Sequence, residues 1–231
     1  MKRILHVIGT LLLLATPLFA GTITFDLLSG NNVVLGTSQP YTVDGITITA
    51  YGFKSSATSL SSPDSTAGTA VDLFSKNGGA SETGLGIASA ASGDSDNEIV
   101  CNSTGCFYIQ LDLTNLILAG GTNQTTIIES VQAGETFNLW AGKSANGALG
   151  SLLSPSGTCL SAVCTETVKL SLKTPILGLS APNTYAGGHD VLLSSMSATV
   201  PEPGSLVLLG SGLCIVGGLL RRRLGKRDAL N

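Results

Sequence analysis

Short runs of alternating apolar and polar residues recur along the chain, each with the period of a strand that buries one face. In residues 22–28, Ile23, Phe25 and Leu27 fall on one side. In residues 45–51, Ile46, Ile48 and Ala50 oppose a row of threonines. Residues 107–113 place Phe107, Ile109, Leu111 and Leu113 inward, and residues 126–131, 135–140, 167–172 and 189–196 continue the series. The pairs Ala133 with Gly134 and Gly187 with Gly188 are turn signals between such runs. Residues 55–70 and 77–96 are rich in Ser, Gly and Ala and read as long loops. Residues 142–157 are similar, with Leu149, Leu152 and Leu153 marking a short strand.

At least seven strands without a credible long helix predict an all-β fold, an antiparallel β-sandwich of jelly-roll type. The 231 residues hold one such domain with signals at both ends. Its expected extent is residues 21–199, since no charge run or proline-rich linker divides it.

The two ends follow a different pattern. Lys2 and Arg3 precede an apolar run over residues 4–14, and Ala15, Thr16, Pro17, Leu18 and Phe19 lead up to Ala20, with Leu18 larger than the small residue usual two positions before the cut. This is the layout of a secretory signal, helical in its apolar part and expected over residues 1–20, with signal peptidase cutting after Ala20. The run is short for a spanning helix, which needs about 20 residues. At the other end, Pro201, Glu202 and Pro203 lead into an apolar stretch over residues 205–220, followed at once by Arg221, Arg222 and Arg223. The prolines keep a helix from extending upstream. The stretch is expected to form a transmembrane helix, and the arginines act as a membrane stop that stays cytoplasmic.

From Val200 onward this arrangement resembles the PEP-CTERM sorting tail of Gram-negative bacteria: the tripeptide, the Gly-rich apolar segment and the arginine stop, in that order at the C-terminal end. The resemblance implies a membrane protease, exosortase, as partner. It also implies sorting and processing at Pro201, Glu202 and Pro203, and a host that makes extracellular polysaccharide. The extension over residues 224–231 is longer than usual for such tails. Localisation follows: export, anchoring in the inner membrane before processing, then the cell surface or the extracellular space.

Charge narrows the function classes. Seven of the twelve basic residues sit in the two terminal signals. Residues 21–200 carry Lys54, Lys76, Lys143, Lys169 and Lys173 against thirteen acids, so the domain is acidic. It lacks the basic patch that supplies most nucleic-acid affinity, and no nucleic-acid partner is expected.

Chemistry-bearing residues are few. Cys101 and Cys106, and Cys159 and Cys164, share one spacing, and in an exported chain they read as disulfides. Local pairing is favoured because closing a short loop costs little entropy, although four cysteines allow three connectivities. A four-thiolate zinc site lacks the usual ligand spacing. Cys214 lies in the apolar tail.

Asp94, Asp96 and Glu98 form an acidic stretch that reads as a solvated loop, with a structural calcium as the alternative. Glu82 and Glu98 are the acids available for a paired-carboxylate hydrolase, whose chemistry depends on their separation. His189 stands beside Asp190, which alternation turns to the other face, so a Ser-His-Asp set is not expected. Trp140 shares a face with Asn138 and reads as core or edge packing in preference to a sugar-stacking platform.

The function expected is that of an exported, non-catalytic surface or extracellular-matrix protein, sorted by its tail and associated with exopolysaccharide. A polysaccharide-acting hydrolase and a surface adhesin or binding module are the alternatives.

Overall fold

The alternating segments are strands, as their period requires. A computed structural model of the chain describes residues 20–60, 62–79, 81–93, 95–132, 135–153, 163–170, 174–182 and 190–201. In chain order the first strands are β1 (Ala20–Asp26), β2 (Val33–Gly36), β3 (Ser38–Val43), β4 (Ile46–Ser55), β5 (Thr69–Ala70), β6 (Leu73–Asn77) and β7 (Thr83–Ile87). After a single helical turn, α1 (Ser89–Ser92), come β8 (Ile99–Asn102) and β9 (Gly105–Asp112), then the short helix α2 (Thr114–Leu118). The rest are β10 (Thr122–Gln132), β11 (Asn138–Gly142), β12 (Ser151–Leu153), β13 (Val163–Lys169), β14 (Ile176–Ser180) and β15 (Asp190–Pro201). Thr22–Val200 forms one compact unit.

Every strand pairing with a defined register among the described residues is antiparallel. The strands fall into two groups. In one, β9 is central, flanked by β4 and β14, and the ladder runs on through β11 to β12 and through β4 to β3 and β5. In the other, β15 is central and pairs with β1, β7 and β10, while β13 joins beyond β10 and β6 and β2 beyond β7. The link between them is β8. Its Cys101 and Asn102 pair with β9, and its Ile99 and Val100 pair with β15.

One apolar cluster draws side chains from both groups. Phe25 and Leu27 of the β1 segment, Leu85 and Ile87 of β7, and Val191, Leu193 and Met196 of β15 meet Ile48 of β4, Phe107, Ile109 and Leu111 of β9, and Leu177 and Leu179 of β14. These are the faces expected from alternation: Ile23, Phe25 and Leu27 are buried, as are Ile48, Ala50, Phe107, Ile109, Leu111 and Leu113.

Strand β9 departs from simple alternation, because its opposite face is buried too. Tyr108 and Gln110 are fully enclosed, and Tyr108 belongs to a second cluster with Phe53, Leu60, Cys106, Trp140 and Leu149. The segment around Gly147 covers this face. Tyr108 Oη donates to the Gly147 carbonyl at 2.7 Å, Gln110 Nε2 donates to Ala148 O at 2.9 Å, and Gly147 N donates to Gln110 Oε1 at 2.9 Å. Buried polar groups are thus paired, as a dry face requires.

The Gly-rich segment 77–96 is not one loop: it contains β7 and α1. Glycines hide the alternation of β7 by leaving its second face without side chains. That face is pressed against backbone. A Cβ on Gly84 would lie 2.8 Å from Leu193 O, and one on Gly86 only 2.0 Å from Asn97 O. Glycine in a strand interior commonly marks such a close approach.

Gly86→Ala is therefore expected to destabilise the domain by about 1–3 kcal/mol, the range for overpacking a tight interior. Gly21→Ala, whose Cβ would meet nothing within 4 Å, should leave the thermal unfolding midpoint unchanged. Equal midpoints for the two variants would contradict this account of β7.

Candidate functional site

Two places hold chemistry: a buried lysine–carboxylate cluster beside β15, and the end of β15 itself. The cluster begins at Lys76 of β6, whose side chain is 15% exposed. Its Nζ is hydrogen-bonded to Glu98 Oε1. Glu82 Oε2 lies 3.9 Å from the same Nζ, on the solvent side. The two acids that the sequence offered as a pair are thus brought together, but by a shared lysine. Ser130 Oγ donates to Glu98 Oε1 at 2.8 Å.

Local backbone geometry aims these groups. The register of β10 shifts between Ile128 and Val131, and Ser130 there has φ 60°. A bulge of this kind redirects a side chain, here turning the Ser130 hydroxyl inward. Its amide donates to Ser81 O at 2.8 Å, and Ser81 itself has φ 66°. Asn97, next to Glu98, has φ 60° and accepts from Ser89 N through its side chain at 2.7 Å. Around them, Glu129 accepts from Thr83 N at 2.9 Å and from Ser194 Oγ at 3.0 Å. Glu135 accepts from Gln132 N at 2.6 Å and lies against Asp190.

Burial sets the protonation. Glu98 is 2% exposed. Desolvation pushes its carboxyl up to about 7, with the Asp190 charge adding and the contacts of Lys76 and Ser130 opposing. Burial works to lower Lys76, yet the hydrogen bond and charge of Glu98, with Glu82 and Asp96, hold it above its ordinary value. Burial also raises Glu135. A buried pair of this kind gains little net stability, but removing one partner strands the other.

Among the described residues no group of three His, Cys, Asp or Glu side chains is placed to hold a metal ion. Of the acidic stretch weighed for calcium, Asp94 lies outside the described residues, Asp96 acts on Lys76 by charge, and the Glu98 carboxylate faces Lys76 and Ser130. His189 also lies outside the described residues.

Cys101 and Cys106 form a disulfide directly across the β8–β9 hairpin, where their Cα atoms are 4.0 Å apart. Cys164 is disulfide-bonded as well, while Cys159 lies outside the described residues. Trp140 is 1% exposed, and its Nε1 donates to Ser180 Oγ at 2.9 Å. Its ring is core, which removes it as an exposed platform for sugar.

The second place is the end of β15. Ala198 and Val200 are buried in the main cluster. Thr199 pairs with Thr122, whose hydroxyl donates to the Thr199 carbonyl at 3.4 Å. Pro201 is the last strand residue and is exposed. Glu202, Pro203, the apolar stretch 205–220 and Arg221, Arg222 and Arg223 lie outside the described residues, as does the signal segment 1–19. Among the described residues no helix is long and apolar enough to cross a membrane.

The family model of the PEP-CTERM protein-sorting motif matches residues 199–223. The chain carries this motif, so it is exported and sorted at the cell envelope, with exosortase, a membrane protein, as the partner that recognises the tail. No curated protein matches the chain, and no solved structure does.

Two measurements test the site. The folded protein keeps a proton on Glu98 that an unfolded carboxyl gives up near 4.5. The stability tied to this group is complete below that value and is lost as pH rises through about 7. Glu135 acts with the same sign. The melting midpoint should fall as pH is raised across this window, and less steeply in Glu98→Gln; an identical slope in that variant would sink the assignment. Second, Trp140 is the only tryptophan. Native fluorescence should be blue-shifted, resist acrylamide quenching and stay constant when polysaccharide is added. Emission typical of an exposed indole would contradict its burial.

Proposed function

We propose that the protein is an exported, non-catalytic surface or extracellular-matrix protein. Its β-domain is delivered by a signal peptide over residues 1–20, held through an apolar span over residues 205–220, and released when exosortase processes the tail at Pro201, Glu202 and Pro203. The observation that carries this reading is the position of the sorting motif, which begins at residue 199 within the last strand of the folded domain.

A core shared by the β9 group and the β15 group supports a sandwich in which the two sheets face each other across that cluster. Exopolysaccharide is the proposed associate. Thr22 and Thr24 of β1, in line with Asp26, and Thr165 and Thr167 of β13, in line with Lys169, are exposed on strands of the β15 group and offer hydroxyls to a hydroxylated polymer. The hydrolase alternative gains Glu82 and Glu98 at one lysine, but Glu98 is enclosed and bonded to Lys76 and Ser130. A general acid must reach the leaving group; this one faces inward.

Intact mass of the protein from its native host, before and after reduction, tests the reading. The expected species begins at Gly21, ends within residues 201–204, and gains about 4 Da on reduction, two hydrogens for each of two disulfides. A species that keeps residues 205–231 would make the tail a permanent anchor and overturn release. Failure of the purified domain to sediment with the host's own exopolysaccharide would overturn the association alone.

A further inference from the structure

We infer that β15 sets the upstream limit of tail processing: proteases approaching the motif cut on the C-terminal side of Pro201 and do not enter the strand. This rests on the reading that the tail is processed, and deepens it by fixing where the substrate segment begins.

The argument starts from an overlap. The sorting motif spans residues 199–223, while β15 runs to Pro201. The first residues of the motif therefore belong to the fold. Thr199 is in register with Thr122 of β10, and the Thr122 hydroxyl bonds its carbonyl. Val200 is 7% exposed and packs in the main cluster beside Ala198, which is 1% exposed. A peptide bound to a partner as an added strand presents its own backbone donors and acceptors and places alternate side chains in pockets. Thr199 has given its backbone to the β10 ladder, and Val200 has given its side chain to the core. Offering them to an enzyme requires β15 to peel from β10 and Val200 to leave the core.

Pro201 marks the boundary for a chemical reason. It has no N–H to donate, so proline in a sheet is confined to places where the ladder does not need that donor. The residue that closes the strand is also the first of the recognition tripeptide. One residue thus ends β15 and begins the tripeptide of the motif. Cutting after it leaves every described residue of the main cluster in the product, the last of them being Val200.

The inference is tested in two arms. In the first, the C-terminal peptide of the processed protein is sequenced by mass spectrometry. The expected terminus is Pro201 or later; a terminus at Val200 or earlier overturns the inference. In the second, full-length protein in detergent is treated with a protease of broad specificity. Trimming should stop at or just beyond Pro201, and in Val200→Asp it should advance upstream by two residues or more. Trimming into residues 196–200 of the unaltered protein at the rate seen for residues 202–231 overturns the inference. If native protein keeps residues 205–231, the processing reading fails, and the second arm alone decides whether β15 limits access.

Discussion

The backbone ladder of β15 is the constraint on which the rest of the domain depends. This one strand pairs with β1, β7, β8 and β10, and its inward residues Val191, Leu193, Met196, Ala198 and Val200 all enter the main cluster. Each fully buried Val, Leu or Met side chain contributes about 1.5–3 kcal/mol before the entropy of ordering the strand is set against it, in a domain class whose net stability is usually only about 5–15 kcal/mol. β8 depends on it directly, since two of its four residues pair with β15 and the other two with β9. Without β15 the two strand groups lose that ladder connection and much of the surface they share.

The buried polar cluster follows from the same geometry. Arranging β6, β7, β8 and β10 around the first half of β15 brings Lys76, Ser130 and Asp190 to Glu98. An enclosed carboxylate is costly unless it is paired and hydrogen-bonded. Lys76 and the inward-turned Ser130 provide the partners, and the left-handed backbone at Ser130 is the local concession that makes the second bond. The cluster reads as a structural joint in which burial, opposed by one cation, sets the proton.

Much of this fold was legible in the sequence wherever one face is buried and the other wet. β1 and β4 show it, with Phe25 and Ile48 inward and threonines outward. β9 was legible on the Phe107 face only. Burial of Tyr108 and Gln110 depends on Gly147, nearly forty residues away, and no local period reports that. β7 was invisible because Gly84 and Gly86 erase the alternation, for a reason that lies in Leu193 and Asn97. β14 is short and buried throughout, and β8 has only four residues, two of them buried; runs this short carry no period. At the site, Glu82 and Glu98 stood out as acids, while Lys76 did not. The available signal was its rarity, as one of five basic residues in an acidic domain. The sorting tail was fully legible, since its order of tripeptide, apolar stretch and arginines is a property of the sequence alone.

The place of β15 at the end of the domain links folding to export. Its pairings with β1 and β8 join residues far apart in the chain, and long-range pairing forms late because loop closure must precede it. A chain emerging N-terminus first exposes β1 early and β15 last. Neither the β1–β15 nor the β10–β15 ladder can form until residues 190–201 are available. The core therefore closes only after the whole domain has emerged, when the sorting motif is the next segment of the chain. The same closure pairs Thr199 with Thr122, buries Val200 and leaves Pro201 at the surface. Completion of the fold and definition of the sorting boundary are thus one event, carried by the pairing of Thr199 with Thr122 and the burial of Val200.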